Sequence, residues 1–304
     1  MKVLLTGAAG QLGWALRQQV PDGVELIATS RNPAGDGSRG LLPLDLADGD
    51  ACRAAILEHR PDWVLNGGAY TTVDKAESEP ELALAVNGGA PRAFAEALLE
   101  TGGRLLQVST DFVFNGRQGS PYRPEQPRDP LGAYGASKAA GEEAVEELLG
   151  ATAGIDGTSQ GVILRTSWVI GPVGHNFALT MLRLHRERDQ IGVVADQVGC
   201  PTSTVTLASA CWRAIERNLA GIHHWSDAGA ASWYDVAVAV GELGSELGLL
   251  ERMAQVNPIT TAEFPTPAQR PSYSLMECSD TRKALELPAA HWRQALRELL
   301  EVLP

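Results

Sequence analysis

A short apolar run at residues 3–5 leads directly into Gly7-Ala8-Ala9-Gly10-Gln11-Leu12-Gly13, and a helical pattern over 11–20 follows. Few folds place three glycines at such a junction. Between a strand and a helix, Gly7 permits the tight turn, Gly10 lets backbone approach a pyrophosphate whose charge faces the helix N-terminus, and Gly13 lets helix pack close to strand. The spacing is one residue longer between the first two glycines than the usual dehydrogenase form. A dinucleotide cradle at the start of an α/β domain is the expectation.

Apolar runs bounded by turn residues recur at 24–28, 41–44, 63–65, 105–108 and 162–164, with helical patterns at 49–59, 79–101 and 133–149 between them. Short, nearly continuous hydrophobic runs are what strands buried on both faces require. Strand alternating with helix predicts a doubly wound parallel sheet, Rossmann-like, with helices on both faces. Residues 152–160, rich in Gly, Thr, Ser and Asp, read as a surface loop before the last of these strands. After Arg165 the alternation fades and helical stretches at 176–189, 207–218, 232–249 and 291–303 dominate. Residues 1–165 are therefore expected to bind the dinucleotide. Residues 166–304 should form mainly a smaller, largely helical C-terminal substrate lobe, with some segments returning to the sheet domain. Ser232 is placed to cap a helix, and the proline-rich stretch 257–271 reads as extended chain at the surface or lining a cleft.

Charge and cysteine content remove several function classes. A net charge of −12 with no long basic block argues against binding a polynucleotide. No apolar run approaches the roughly 18 to 20 residues that span a bilayer, so no membrane partner is expected. Cys52, Cys200, Cys211 and Cys278 lie far apart with no C-x-x-C pair, which suggests neither a zinc site nor a disulfide framework and fits a reducing cytoplasm.

Tyr134-Gly135-Ala136-Ser137-Lys138 puts a phenol and an ammonium four residues apart, on one face of a helix. A free phenol titrates near 10, and a nearby cation stabilises the phenolate and lowers that value. Upstream, Ser109-Thr110-Asp111 ends a predicted strand, the side of a parallel sheet on which ligand clefts open. After the second strand, Ser30-Arg31 stands where NAD-preferring sites usually place an acid for the ribose 2′-hydroxyl. The arginine favours a 2′-phosphate; the other reading is a solvated loop side chain. Asp45-Leu46 closes the third strand and either flanks the adenine or, through Asp45, caps the next helix.

Longer stretches narrow the reading. Asn66-Gly67-Gly68-Ala69-Tyr70-Thr71-Thr72-Val73-Asp74-Lys75-Ala76-Glu77, Ser109-Thr110-Asp111-Phe112-Val113-Phe114, Arg165-Thr166-Ser167-Trp168, Asp196-Gln197-Val198-Gly199-Cys200-Pro201-Thr202 and Arg270-Pro271-Ser272-Tyr273-Ser274 span nearly the whole chain. With the glycine loop and the Tyr134/Lys138 pair they resemble the dTDP-4-dehydrorhamnose reductase family, in the extended sugar-nucleotide branch of the short-chain dehydrogenase/reductase superfamily. The resemblance implies NADPH, with NADH accepted as well, reducing the 4-keto group of dTDP-4-dehydro-L-rhamnose to dTDP-L-rhamnose for cell-surface polysaccharide biosynthesis. It implies Tyr134 as proton donor, Thr110 as hydrogen-bonding partner of the carbonyl oxygen, and Lys138 as holder of the nicotinamide ribose that keeps Tyr134 acidic. Gly10, Gln11 and Leu12 fall to the pyrophosphate, and Ala69, Tyr70 and Thr71 to the cofactor near its ribose and nicotinamide. Asp111 and Trp168 fall to the sugar, beside Thr110 and Tyr134.

Related nucleotide-sugar dehydratases carry a glutamate after the Thr-Asp pair; here Phe112 stands there, so dehydration lacks its acid. Some relatives of the family bind Mg²⁺ at a dimer interface through glutamates, one just after the tryptophan that follows the glycine loop. Here Trp14 is followed by Ala15, and a methyl group cannot ligate a hard cation. Any homodimer is accordingly expected to rest on direct protein contacts without a metal bridge, and no metal site is expected. The competing readings are another dTDP-4-keto-6-deoxyhexose reductase and a non-catalytic NADP-binding regulatory subunit. The intact Thr110, Tyr134 and Lys138 argue against the latter.

Overall fold

A computed structural model describes residues 1–33, 40–152 and 159–303. Most of the loop expected at 152–160 lies outside the described residues. Along the first half run β1 (Lys2–Thr6), α1 (Gln11–Gln18), β2 (Glu25–Ser30), β3 (Leu42–Pro43), α2 (Gly49–His59), β4 (Trp63–Asn66), α3 (Val73–Ala76) and α4 (Pro80–Leu84). A π-helical turn (Ala85–Gly89) then leads into α5 (Ala90–Thr101), β5 (Arg104–Thr110), α6 (Ala133–Leu149) and β6 (Gly161–Thr166). The second half holds β7 (Val169–Ile170), α7 (Phe177–Glu187), β8 (Gln190–Val194), β9 (Val198–Gly199), β10 (Thr202–Ser203), α8 (Thr204–Glu216) and β11 (Gly221–His224). It ends with β12 (Ala231–Ser232), α9 (Trp233–Glu246), β13 (Gln255–Ile259), α10 (Ser279–Leu285) and α11 (Trp292–Glu301).

The main sheet has the order β11-β6-β5-β4-β1-β2-β3 and every neighbouring pair is parallel. The doubly wound architecture read from the sequence is present. Its winding reverses between β1 and β4, where Leu5 lies beside Leu65, and a crevice opens at such a reversal. Leu4, Leu5, Val64, Leu65, Leu105, Leu106, Ile163 and Leu164 are all fully buried because helices cover both faces. On one face Leu12, Ala15 and Leu16 of α1 share a core with Leu207, Ala208 and Cys211 of α8. On the other, Ile56, Phe94, Leu98 and Val145 form the second core. A third, around Met181, Leu182, Val236, Val240 and Leu296, belongs to the C-terminal lobe.

Three features go beyond the sequence reading. β11 is a seventh strand that returns from the second half to pair with β6, and its Gly-Ile-His-His sequence has no apolar run to announce it. The lobe is less purely helical than expected, since β7/β10, β9/β12 and β8/β13 form two-stranded ladders, and the stretch from 257 begins inside β13. The single helix expected over 79–101 is interrupted by the π-helical turn. Pro91 has no N–H to offer the Asn87 carbonyl four residues back, so regular winding fails there. Ser232 does cap α9, in a reciprocal box with Asp235.

Candidate functional site

Two cavities of about 230 and 260 Å³ share Gly7, Gly10, Gly68 and Ala69 and together form one groove over the β1/β4 reversal. The first reaches Ser30, Arg31, Asp45 and Leu46; the second reaches Gln11, Leu12, Gly13, Thr71, Tyr134 and Lys138. Local geometry explains the glycines. Gly7 has φ +66°, and a Cβ there would come within 2.5 Å of the Gly68 Cα. A Cβ on Gly13 would overlap the Gly7 carbonyl. Gly10 caps α1 without a side-chain hydrogen bond and the first turn carries no acid, so the positive end of the helix faces the groove. Bare backbone, a helix N-terminus and Arg31 at the far end fit a dinucleotide whose pyrophosphate sits at the glycine loop.

Asp45 is not the cap of α2. That role falls to Asp48, which accepts from Ala51 N at 2.9 Å, whereas Asp45 accepts from Ala47 N and borders the groove. Tyr70 lies between the lining residues Ala69 and Thr71, but its hydroxyl donates to Glu79 at 2.8 Å. Its main chain is pinned by Asn87: the Tyr70 N–H donates to Asn87 Oδ1 at 2.9 Å and its carbonyl accepts from Asn87 Nδ2 at 3.0 Å. Asn87 Nδ2 also donates to Ser137 Oγ on α6 at 3.0 Å. The π-helical turn thus positions the groove wall. Asn87 was not singled out in the sequence, although an Asn-Gly-Gly run inside a helical pattern is a signal of broken winding.

At the carboxyl end of β5, Thr110 hydrogen-bonds with Tyr134, and Phe112 meets the Tyr134 ring edge-on at 5.5 Å. Desolvation, with the Asp111 carboxylate adding to it, pushes the Tyr134 phenol up to about 12. The lowering expected from Lys138 is not seen: the opposing influence is the Thr110 hydrogen bond, and burial outweighs it. The phenol is protonated throughout the neutral range, as a proton donor must be. Lys138 Nζ donates to the Val108 carbonyl at 2.7 Å; burial pulls its pKa down to about 8 and Glu142 opposes that fall. Asp111 is 1% exposed and burial raises it to about 6, although Ser274 and Thr110 bond to it. Among the described residues its Oδ2 has no hydrogen-bond partner, and neither has the buried Thr166 Oγ1 in the wall of the groove.

Trp168 holds an unusual backbone, φ +46°, and stacks on Trp233 with centroids 3.6 Å apart. Phe177 tilts against Trp233, whose Nε1 donates to Gln197 Oε1 at 3.2 Å. Trp233, Phe177 and Gln197 line a larger cavity of about 600 Å³ together with Arg188, with Arg183, which pairs with Glu187, and with Arg270. Arg270 grips Asp74 with two hydrogen bonds of 3.0 and 2.9 Å, tying α3 beside the groove to the lobe. Trp233 was missed in the sequence because an aromatic residue after a helix cap carries no local sign of stacking. Ala15 is buried in the α1/α8 core. Among the described residues no group of three or more His, Cys, Asp or Glu is placed to hold a metal, and no helix is long and apolar enough to cross a membrane.

Comparison with known proteins agrees with this geometry. The family profile described as RmlD substrate binding domain matches residues 1–304. A Streptomyces griseus protein named dTDP-4-dehydrorhamnose reductase is 41% identical, over 99% of this chain and 93% of its own length. A Clostridium acetobutylicum structure described as a dTDP-4-dehydrorhamnose reductase superposes with TM-score 0.87 at 34% identity, covering 99% of both chains. A Bacillus anthracis dTDP-4-dehydrorhamnose reductase in complex with NADP gives TM-score 0.84 at 32% identity, covering 98% of both chains.

Proposed function

Because the chain belongs to the dTDP-4-dehydrorhamnose reductase family, we propose that its Tyr134, Thr110 and Lys138 carry out that family's ketone reduction. The chain is an NADP-dependent oxidoreductase of dTDP-rhamnose biosynthesis, which reduces the 4-keto group of dTDP-4-dehydro-L-rhamnose to give dTDP-L-rhamnose. Bound NADPH supplies a hydride to the carbonyl carbon. Tyr134 gives its proton to the carbonyl oxygen, where negative charge grows, and Thr110 hydrogen-bonds that oxygen. Lys138 holds the nicotinamide ribose and stabilises the phenolate that proton transfer leaves behind. Gly10, Gln11 and Leu12 hold the pyrophosphate on the turn that Gly7 and Gly13 shape, Ser30 and Arg31 the adenosine 2′-phosphate, and Asp45 and Leu46 the adenine side. Ala69 and Thr71, with the Tyr70 main chain, line the ribose and nicotinamide.

Asp111 takes sugar hydroxyls and Trp168 forms an apolar wall, while the cavity of about 600 Å³ receives the nucleotide, its guanidinium groups facing the diphosphate. In this reading residues 1–165 with α8 and β11 make the cofactor half, and the remainder of 166–304 the substrate half. The enzyme works in the cytoplasm, and any homodimer rests on direct protein contacts without a bridging metal. The observation that carries the reading is the meeting of Tyr134, Thr110 and Lys138 at the β5 terminus, where the cofactor groove ends. The test is incubation with NADPH and dTDP-4-dehydro-L-rhamnose and product identification by NMR. In parallel, Tyr134→Phe should lower turnover at least about 100-fold while NADPH affinity is retained. Near-normal turnover removes Tyr134 from the mechanism, and a dTDP-6-deoxy-L-talose product assigns the chain to a sister reductase.

A further inference from the structure

Behind the groove a carboxylate is buried completely. Glu142 stands one helical turn beyond Lys138 on α6 and is 0% exposed. Its Oε1 accepts from Ser109 Oγ at 2.5 Å and from Arg165 Nε at 2.9 Å; its Oε2 accepts from Arg165 Nη2 at 2.7 Å and from Arg128 Nη1 at 3.3 Å. Burying such a cluster is costly, and well-packed apolar side chains often serve stability as well or better. Its location suggests another use. Ser109 sits between Val108, whose carbonyl receives Lys138 Nζ, and Thr110, which bonds Tyr134. One carboxylate therefore grips the strand end that both groups depend on and lies one turn from the ammonium.

We propose that Glu142 is a positioning residue that keeps Lys138 protonated and holds Val108, Ser109 and Thr110 in register with the Tyr134/Lys138 pair. This rests on the reading of Lys138 given above. Lys138 is 4% exposed, and burial pulls its pKa down to about 8 against the opposing charge of Glu142. The charged or titratable groups of this cluster are Tyr134 and Glu142 on the same helix as Lys138, Asp111 beyond β5, which acts on Tyr134, and Arg165 on β6 and Arg128 on the preceding loop, which pair with Glu142. Arg128 is held in turn by Glu146, and His224 on β11 lies 3.3 Å from Arg165, its pKa far below the ordinary value through burial and that cation. Of these, Glu142 is the charge that raises Lys138. Arg165 and Arg128 draw on the same carboxylate, so the charge on Lys138 depends on how that anion is shared.

The chain has only four lysines, Lys2, Lys75, Lys138 and Lys283, so lysine labelled with ¹³C at Cε gives a readable NMR titration of the cofactor-free enzyme, with Lys138→Met assigning the resonance. Glu142→Gln keeps one acceptor oxygen for Ser109 Oγ and Arg165 Nε but removes the charge and the oxygen that accepts from Arg165 Nη2 and Arg128, and should lower the Lys138 midpoint by about one pH unit or more. An unmoved midpoint in folded Glu142→Gln overturns the proposal. Arg128 is partly exposed, so Arg128→Gln perturbs folding less; freeing Glu142 from one cation should raise the midpoint. If Glu142→Gln does not fold, an unmoved Arg128→Gln midpoint overturns the proposal instead. A purely structural role would lower Tm and leave both midpoints in place. Because the titration reads Lys138 directly, a failure of the catalytic reading, seen as unimpaired turnover in Lys138→Ala, is distinguishable from a failure of this one.

Discussion

Gly199→Ala tests whether the Trp168 indole belongs to the sugar site. Gly199 has a backbone conformation open to alanine, yet a Cβ there would lie 2.6 Å from Trp168 Cε2, 2.7 Å from Cζ2 and 2.8 Å from Nε1. Carbon atoms in good contact sit about 3.5–4.0 Å apart, so the indole must retreat by about 1 Å. Trp233 is stacked on it at 3.6 Å and must move with it or lose the contact. Overpacking of this kind costs about 1–3 kcal/mol. If the displaced indole is the wall of the sugar site, that cost falls on transition-state binding and lowers kcat/KM for the sugar nucleotide about 5- to 150-fold. NADPH affinity, set by a groove that Trp168 does not line, should be unchanged. The assay is steady-state kinetics with varied sugar nucleotide, beside cofactor titration by fluorescence and a melting curve. A variant with lowered Tm but unchanged kcat/KM would show that the tryptophan pair is packing and no part of the substrate site.

Three further outcomes are expected. Since Asp111 titrates near 6 and Lys138 near 8, kcat/KM should rise through about pH 6 as the carboxylate forms and fall above about pH 8 as the ammonium is lost. Asp111→Asn should abolish the acid limb, and a wild-type profile flat down to pH 5 would contradict its role. Arg31→Ala should reduce the NADPH over NADH preference in kcat/KM about tenfold, the worth of about 1.4 kcal/mol; an unchanged ratio returns Arg31 to the solvated surface. EDTA should change neither turnover nor size-exclusion elution, because Ala15 offers no ligand; activity lost on chelation and restored by Mg²⁺ would require carboxylates elsewhere in the chain.

What could be read from the sequence was what short spacing encodes. The glycine loop, Tyr134 with Lys138, and Thr110 each stand within a few residues of a strand or helix end, and the structure brings them to one groove. Contacts between distant segments were illegible. Nothing local in the sequence separates Glu142 from Glu143, Glu146 and Glu147 on α6; the position of Arg165 and Ser109 in the sheet does so. The direction of the Tyr134 shift was misjudged for the same reason, since desolvation depends on what the rest of the chain places around the ring. β11 escaped notice because its burial comes from β6 beside it and from Thr281, which bonds the His224 N–H, while its own residues are half polar.

The return of α8 and β11 to the first sheet bears on how the protein is made. The glycine loop leaves the ribosome early, but the part of α1 that packs on Leu207, Ala208 and Cys211 stays uncovered until they arrive, and β6 remains an open edge until residue 224 is synthesised. A fragment ending at residue 165 therefore exposes both apolar helix surface and an open sheet edge, each a site for unwanted association. Such a fragment also lacks Thr166, Val169 and Leu207 of the groove wall, so it should hold NADPH more weakly than the full chain.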